Sequence, residues 1–155
     1  MRRILLTTSF LLLPLIVAAL STSCGGSKSS NQAHSSAAVR STYQSFWQAY
    51  MKPDPEKTCS LLTTRGRRIF LAKIQSSGMG FENGAPKTCS DGVKAVHKLL
   101  TTLSISPRLT IRKVSVNGDR ATISWSTRSS ASRGTGTTKL VFQGGRWLID
   151  DDGTG

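Results

Sequence analysis

The chain has 155 residues, of which 21 are Lys or Arg and 8 are Asp or Glu, so its formal net charge is +13 at pH 7. After a targeting segment is subtracted, this length accommodates one domain of about 120 residues and excludes a second independent core. Hydrophobic residues make up 37% of the chain and aromatic residues 6%, a composition typical of a globular domain with polar ends.

The amino terminus has the residue order of a secretory signal peptide. A basic start precedes a mainly apolar stretch, 4–20, and small residues follow at 21–23. The most apolar part, 10–20, is shorter than the roughly 20 residues that a membrane-spanning helix needs. We therefore predict a signal peptide over 1–23 and export of the chain.

The residues LSTSCG at 20–25 resemble a bacterial lipobox, in which a diacylglyceryl group is attached to the cysteine and signal peptidase cuts just before it. The leucine lies one position further from Cys24 than in the usual lipobox. The resemblance implies a lipidated, palmitate-bearing Cys24 that anchors the chain to the outer face of the bacterial cell membrane. Secretion without a lipid is the alternative, because Ser21 and Ser23 also suit an ordinary signal peptidase.

The cysteine count is consistent with this prediction. The sequence contains three cysteines, which cannot all pair within one chain. If Cys24 carries the lipid, Cys59 and Cys89 remain, and in an oxidising compartment we expect them to form a disulfide. Two buried free thiols are the alternative. Metal binding is not expected, since neither residue has a second Cys or a His at ligand spacing.

A polar segment separates the predicted anchor from the folded part. After Cys24 the chain reads GGSKSSNQAHSS and contains almost no apolar residue, so we predict a flexible tether over 24–36. His34 is expected to be solvated there and to have no role. The domain is predicted over 37–152.

The first half of the domain carries apolar residues at helical spacing. Helices are predicted over 37–51, from residue 55, over 66–76 and over 88–103. Asp54 is a plausible cap of the second helix, with Pro55 at its first position. The stretch 77–87 is rich in Gly and Pro and is expected to be a loop.

After Pro107 the apolar residues alternate, which is the period of a β-strand. The parity of the alternation changes at 112–113, which predicts a β-bulge there. The residues Asn-Gly-Asp at 117–119 predict a tight hairpin turn, with the positive backbone angles assigned to Asn-Gly. The Ser- and Gly-rich stretch 129–136 is expected to be a loop.

These patterns predict an α+β fold in which N-terminal helices pack on a curved C-terminal antiparallel sheet. The aromatic first helix, the hairpin VNGDRATISW at 116–125 and the closing strand GGRWLID at 144–150 resemble nuclear transport factor 2-like domains. These are also called SnoaL-like or cystatin-like-fold domains, and the resemblance is greatest to those of exported bacterial lipoproteins. It covers about 37–150 and implies a cone-like domain with an apolar cavity.

The resemblance implies a candidate ligand pocket. We name Tyr43, Trp47, Ile123 and Trp125 as its candidate wall and His97 as a residue at its mouth. The alternative for the tryptophans is a purely structural role in the core, because large aromatic side chains are most often core residues. The alternative for His97 is a boundary position on its helix.

The strands offer no obvious acid or base. No Asp, Glu or His occurs between Arg120 and Trp147, whereas an isomerase or hydratase of this family would need such a group there. We therefore predict no catalytic residue. The alternative is a SnoaL-like enzyme that uses His97 or Asp91. No metal or cofactor is expected, and the acidic run 150–152 is predicted to be a solvated tail.

The predicted partners follow from the anchor, the cavity and the charge. The chain is expected to reach the membrane through its lipid and to bind or scaffold in the cell envelope, with an unknown small apolar ligand as one candidate. Loss of the signal leaves 19 basic and 8 acidic residues, a charge of +11, which suits an anionic lipid or wall polymer as partner; a surface that serves solubility alone is the equal alternative. Nucleic acid is not an expected partner of an exported chain.

Overall fold

A computed structural model describes residues 32–78, 81, 84–151 and 153. The predicted signal peptide, Cys24 and most of the predicted tether lie outside these residues. Helices come first in the described part and strands follow. The helices are α1 (Ser36–Met51), α2 (Pro55–Ser60), α3 (Thr64–Ser76) and α4 (Cys89–Thr102), and the strands are β1 (Arg108–Asn117), β2 (Arg120–Arg128), β3 (Arg133–Gln143) and β4 (Arg146–Asp151).

The strands form one antiparallel meander in the order β1-β2-β3-β4. The register between β1 and β2 shifts at Arg112, where the sequence predicted a bulge, and this bulge bends the sheet. The first hairpin turn is also confirmed, but its positive φ of 54° falls on Gly118, while Asn117 still pairs with Arg120 as part of the ladder. Glycine takes this angle without steric cost.

Each helix begins at a side chain that satisfies its first free N–H groups. Ser35 caps α1, Asp54 caps α2 with Pro55 at the first position, and Thr63 caps α3. Thr88 caps α4, where it forms a reciprocal capping box with a carboxylate three residues later. The four predicted helices are therefore confirmed, with ends that differ by one or two residues from the predicted ones.

The core lies between the helices and one face of the sheet. Helix α1 buries Val39, Tyr43 and Phe46, which recur at steps of three and four residues, against the sheet residues Ile123 and Trp125. Every second residue of β2 is buried and the residues between them are not, so the helices cover a single face. The predicted α+β class, with N-terminal helices on a curved antiparallel sheet, is confirmed.

A disulfide and the segment 61–63 hold the helices to one another and to the sheet. Cys59 in α2 forms a disulfide with Cys89 in α4, with Cα atoms 6.1 Å apart, as the sequence predicted. Just after α2, the N–H of Ile149 donates to Leu61 O at 2.8 Å, and the N–H of Thr63 donates to Ile149 O at 2.9 Å. The segment therefore pairs with the free edge of β4 at Ile149, whose backbone groups would otherwise be exposed there.

The predicted loop 129–136 is wrong in its second half, because β3 already begins at Arg133. The two glycines that suggested a loop occupy strand positions instead. At Gly136 a side chain would collide with the indole ring of Trp125 on the neighbouring strand. The buried Nε1 of Trp125 donates to Thr138 Oγ1 at 2.9 Å. Glycine here makes room for an aromatic ring that lies across the sheet.

Two further predictions of solvated residues are wrong. The His34 ring lies 4.1 Å from the ring of Phe142, and the nearby Trp147 Nε1 donates to Ala33 O at 2.7 Å, so the end of the predicted tether packs on the sheet. In the acidic run, Asp150 accepts a hydrogen bond from Thr63 Oγ1 at 2.8 Å, and Asp151 belongs to β4, while Asp152 lies outside the described residues. These polar side chains are held by tertiary contacts that local sequence does not reveal.

We expect the double variant Cys59→Ala/Cys89→Ala to be less stable by about 3 to 4 kcal/mol, because the disulfide closes a 30-residue loop and restricts the unfolded chain. Urea denaturation of the oxidised chain measures the difference. Reduced wild type serves as the control and should match the variant. A reductant that leaves the wild-type midpoint unchanged would contradict the prediction.

Candidate functional site

The inner face of α1 carries a row of aromatic rings. The rings of Tyr43 and Phe46 are stacked with centroids 6.0 Å apart, and those of Phe46 and Tyr50 are stacked at the same distance. Tyr50 then meets the edge of Phe70 on α3 at 5.9 Å, and Trp47 lies 6.2 Å from Tyr50. Such pairs hold one another in place, so this end of the core is a rigid aromatic wall.

This wall lines a partly open cavity of about 220 Å³ between α1, α3, α4 and β2. Three of the four predicted wall residues, Tyr43, Trp47 and Trp125, line it together. The fourth, Ile123, does not line it, because its side chain is completely buried in the core. The volume lies below the 300 to 1,000 Å³ of typical drug-sized ligand sites, so the cavity suits only a small molecule.

A second, open cleft adjoins the cavity and shares Trp47 with it. The cleft has a volume of about 570 Å³ and lies between the C-terminal halves of α1 and α4 and the chain 104–107. His97 lines this cleft and not the cavity. Trp47 therefore lies between the cavity and the cleft.

The sequence missed several residues of the cavity. Phe46 and Tyr50 lie one helical step from the predicted wall residues, so the periodicity of α1 contains the signal for them. Phe70, Ile74 and Val96 come from α3 and α4, whose placement against α1 depends on tertiary packing. Gly92 lies at this contact between α3 and α4, where a Cβ atom would be 2.9 Å from Ile74 Cδ1 and the Ile74 side chain would have to shift.

One charged residue, Lys73, reaches the cavity wall. Its Nζ lies 3.6 Å from the Asp151 carboxylate at the end of β4. The pKa of Asp151 is lowered from its ordinary value of 3.8, first because the N–H of Gly153 donates to the carboxylate at 3.1 Å, and further through the positive charges of Lys73 and Lys139. Partial burial opposes this shift. Lys73 thus closes one side of the cavity as half of an ion pair.

The two candidate acid–base residues are not brought together. The Asp91 carboxylate accepts hydrogen bonds from the Thr88 N–H at 3.2 Å and from its hydroxyl at 2.7 Å, as part of the capping box of α4. His97 lies six residues along the same helix, or about 9 Å. In the described part of the chain its ring hydrogen-bonds Thr101, at 3.3 Å from Nε2 to the hydroxyl oxygen. Asp91 is therefore part of the cap of α4.

Among the described residues, no group of three or more His, Cys, Asp or Glu side chains is placed to hold a metal ion. In the same part of the chain, no helix combines the length and the apolar character required to cross a bilayer.

The chain matches no protein-family model, and no curated protein matches its sequence. Solved structures with a similar backbone include a de novo designed protein with a curved β-sheet, at 12% identity and a TM-score of 0.46, over 76% of this chain and 99% of that one. Another is the crystal structure of a "putative ketosteroid isomerase" from Kribbella flavida, at 15% identity and a TM-score of 0.41, over 74% of each chain.

We expect Asp151→Asn to lower the melting temperature at neutral pH, because a carboxylate with a lowered pKa stabilises the fold whenever it is ionised. That stability is fully present above the unfolded pKa and is lost as the pH falls through the lower, folded pKa. Melting curves of both proteins over a pH series test this. The two should converge in acid, and a constant difference at every pH would contradict it.

Proposed function

We propose that the chain is an exported lipoprotein, anchored through Cys24, whose domain binds a small apolar molecule in the aromatic cavity without catalysing its conversion. The observation that supports ligand binding is the cavity. Its wall is formed by rigid aromatic rings from α1 and by Trp125 from β2, and its charged member, Lys73, is engaged with Asp151. A mainly apolar site with few polar groups is typical of small-molecule binding.

Among the described residues that line the cavity there is no His, Asp or Glu, and this favours binding over catalysis. Among the described lining residues, the ionisable side chains are those of Tyr43, Tyr50 and Lys73. Proton transfer near neutral pH most often uses a His or a carboxylate within hydrogen-bond reach of the substrate. His97 belongs to the neighbouring cleft, and Asp91 caps a helix. The SnoaL-like isomerase or hydratase is therefore the weaker alternative.

The disulfide supports the proposed anchor. Cys59 and Cys89 are bonded to each other, so of the three cysteines in the chain only Cys24 lies outside this bond. Disulfides persist mainly in oxidising compartments, which agrees with export. A cysteine left over directly after a signal-like segment is the position at which lipid attachment would occur.

We expect Trp47→Ala to weaken the binding of naphthalene, a small neutral apolar probe, by about tenfold, because an aromatic contact contributes roughly 0.5 to 1.5 kcal/mol beyond its buried area. Titration followed by NMR shifts of the protein measures the affinity. His97→Ala is the matched control, since His97 lines only the cleft and should leave the affinity unchanged. An equal loss in both variants would place the probe in the cleft and contradict the proposal.

We expect Cys24→Ser to abolish the incorporation of labelled palmitate when the chain is produced in a bacterium, because the serine hydroxyl does not replace the thiol as acceptor of the lipid. The double variant Cys59→Ala/Cys89→Ala should keep the label and is the control. Globomycin should make the unprocessed wild-type precursor accumulate. A wild-type chain that takes up no label would refute the anchor.

A further inference from the structure

The face of the sheet that the helices leave uncovered is strongly cationic. Strands β1, β2 and β3 contain no Asp or Glu, yet they carry seven Lys and Arg. The side chains of all seven are exposed. Six of them form what we call the cationic face, and the seventh, Lys139, pairs with Asp151 across β3 and β4. The six are Arg108, Arg112, Lys113, Arg120, Arg128 and Arg133.

The ladder places these residues side by side. Arg108 pairs with Arg128, and Arg128 pairs with Arg133, so three arginines form a row across three strands. Directly paired residues of antiparallel strands lie on the same face of the sheet. At the bulge, Arg112 Nε donates to Ser126 Oγ at 3.0 Å, which places Arg112 on this face as well. A further cation, Arg120, lies at the other end of β2.

The cationic face is much longer than a single small anion. From Arg120 to Arg128 the strand runs eight residues, about 26 Å, and three strands span about 10 Å. Between the two arginines, the residues of β2 that share this face are Thr122, Ser124 and Ser126. On β2 the face therefore has an arginine at each end and hydroxyl groups between them.

We propose that the cationic face binds a linear polyanion whose repeating unit carries a phosphodiester group. Five of its six cations are arginines, whose planar forks form paired hydrogen bonds with phosphate oxygens. Serine and threonine hydroxyls supply further contacts to phosphate. A polymer offers charges along the full 26 Å of the strand, whereas one free phosphate would meet a single arginine or two.

Other occupants fit this face less well. A second copy of the chain would place six cations against six, which like-charge repulsion opposes. A membrane surface is usually bound by apolar side chains that enter the headgroup region. The exposed leucines of the described residues, Leu99 and Leu103, belong to α4 and its C-cap rather than to the sheet. This proposal requires neither the cavity ligand nor the lipid anchor.

The test uses the full chain in neutral detergent and immobilised poly(glycerol phosphate), long enough to span β2, as the probe. We expect the affinity to fall about a hundredfold from about 50 to about 200 mM salt if about five phosphates are contacted. The variant Arg108→Gln/Arg128→Gln/Arg133→Gln should bind at least about tenfold more weakly at low salt and should lower the slope of log affinity against log salt by about 2.

The matched control removes three exposed cations from the helices, Lys57→Gln/Arg68→Gln/Lys94→Gln, and so changes the net charge equally. It should retain at least half of the wild-type affinity. An equal loss in the control would overturn the proposal, because net charge alone would then explain binding. Tighter binding to vesicles of equal parts phosphatidylcholine and phosphatidylglycerol, or equal affinity for monomeric glycerol phosphate, would also overturn it.

A second measurement does not depend on the folding of the variants. Addition of the polymer to the wild-type chain should shift the backbone amide NMR signals of β1, β2 and β3 and leave those of α3 in place. If the wild-type chain self-associates in the absence of polymer and the arginine variant does not, the face is a self-association surface. That result would overturn the proposal.

Discussion

The helical layer and the sheet are held together at the short connection between α2 and α3. On one side of it, the Cys59–Cys89 bond fixes α2 to α4. On the other, backbone groups of Leu61 and Thr63 exchange hydrogen bonds with Ile149 in β4. Gly66 is buried against the same strand, where a Cβ atom would collide with Ile149 O. The connection thus sets how α3 lies on the sheet, and with it the width of the cavity between α3 and α1.

The sequence was sufficient for features that depend on local chemistry. Helix caps such as Asp54 with Pro55, the bulge at Arg112 and the turn at Gly118 each follow from a few neighbouring residues. Features set by tertiary contact were missed. Gly136 indicates a loop as long as the position of Trp125 beside it is unknown, and His34 indicates a tether as long as its contact with Phe142 is unknown.

The residues of the candidate site also fall into those that the sequence could predict and those that it could not. Tyr43, Trp47 and Trp125 could be predicted because their spacing on α1 and β2 directs them to one interior. Ile123 follows the same alternation on β2, but the core closes over it completely. Alternation thus reports the face on which a residue lies and not its depth. His97 sits on the correct end of its helix but opens to the cleft, because one helical position is enough to turn it away from the cavity.

Alternation along β2 also separates the two proposed binding surfaces. Trp125 points to the cavity, while Ser124 and Ser126 on either side of it belong to the opposite face. A ligand in the cavity and a polymer on the cationic face would therefore never touch, and each site could be occupied without the other. The sheet between them is the rigid element that both surfaces share.

The proposed anchor and the cationic face reinforce each other energetically. A domain confined near the membrane meets a polymer attached to the same envelope at a high effective concentration, so weak contacts give lasting attachment. Electrostatic contacts made by exposed arginines are individually weak and salt-sensitive, which permits exchange along a repeating chain. A lipid on Cys24 would thus strengthen an attachment to polymer that the solvated cations of the face could also make without it.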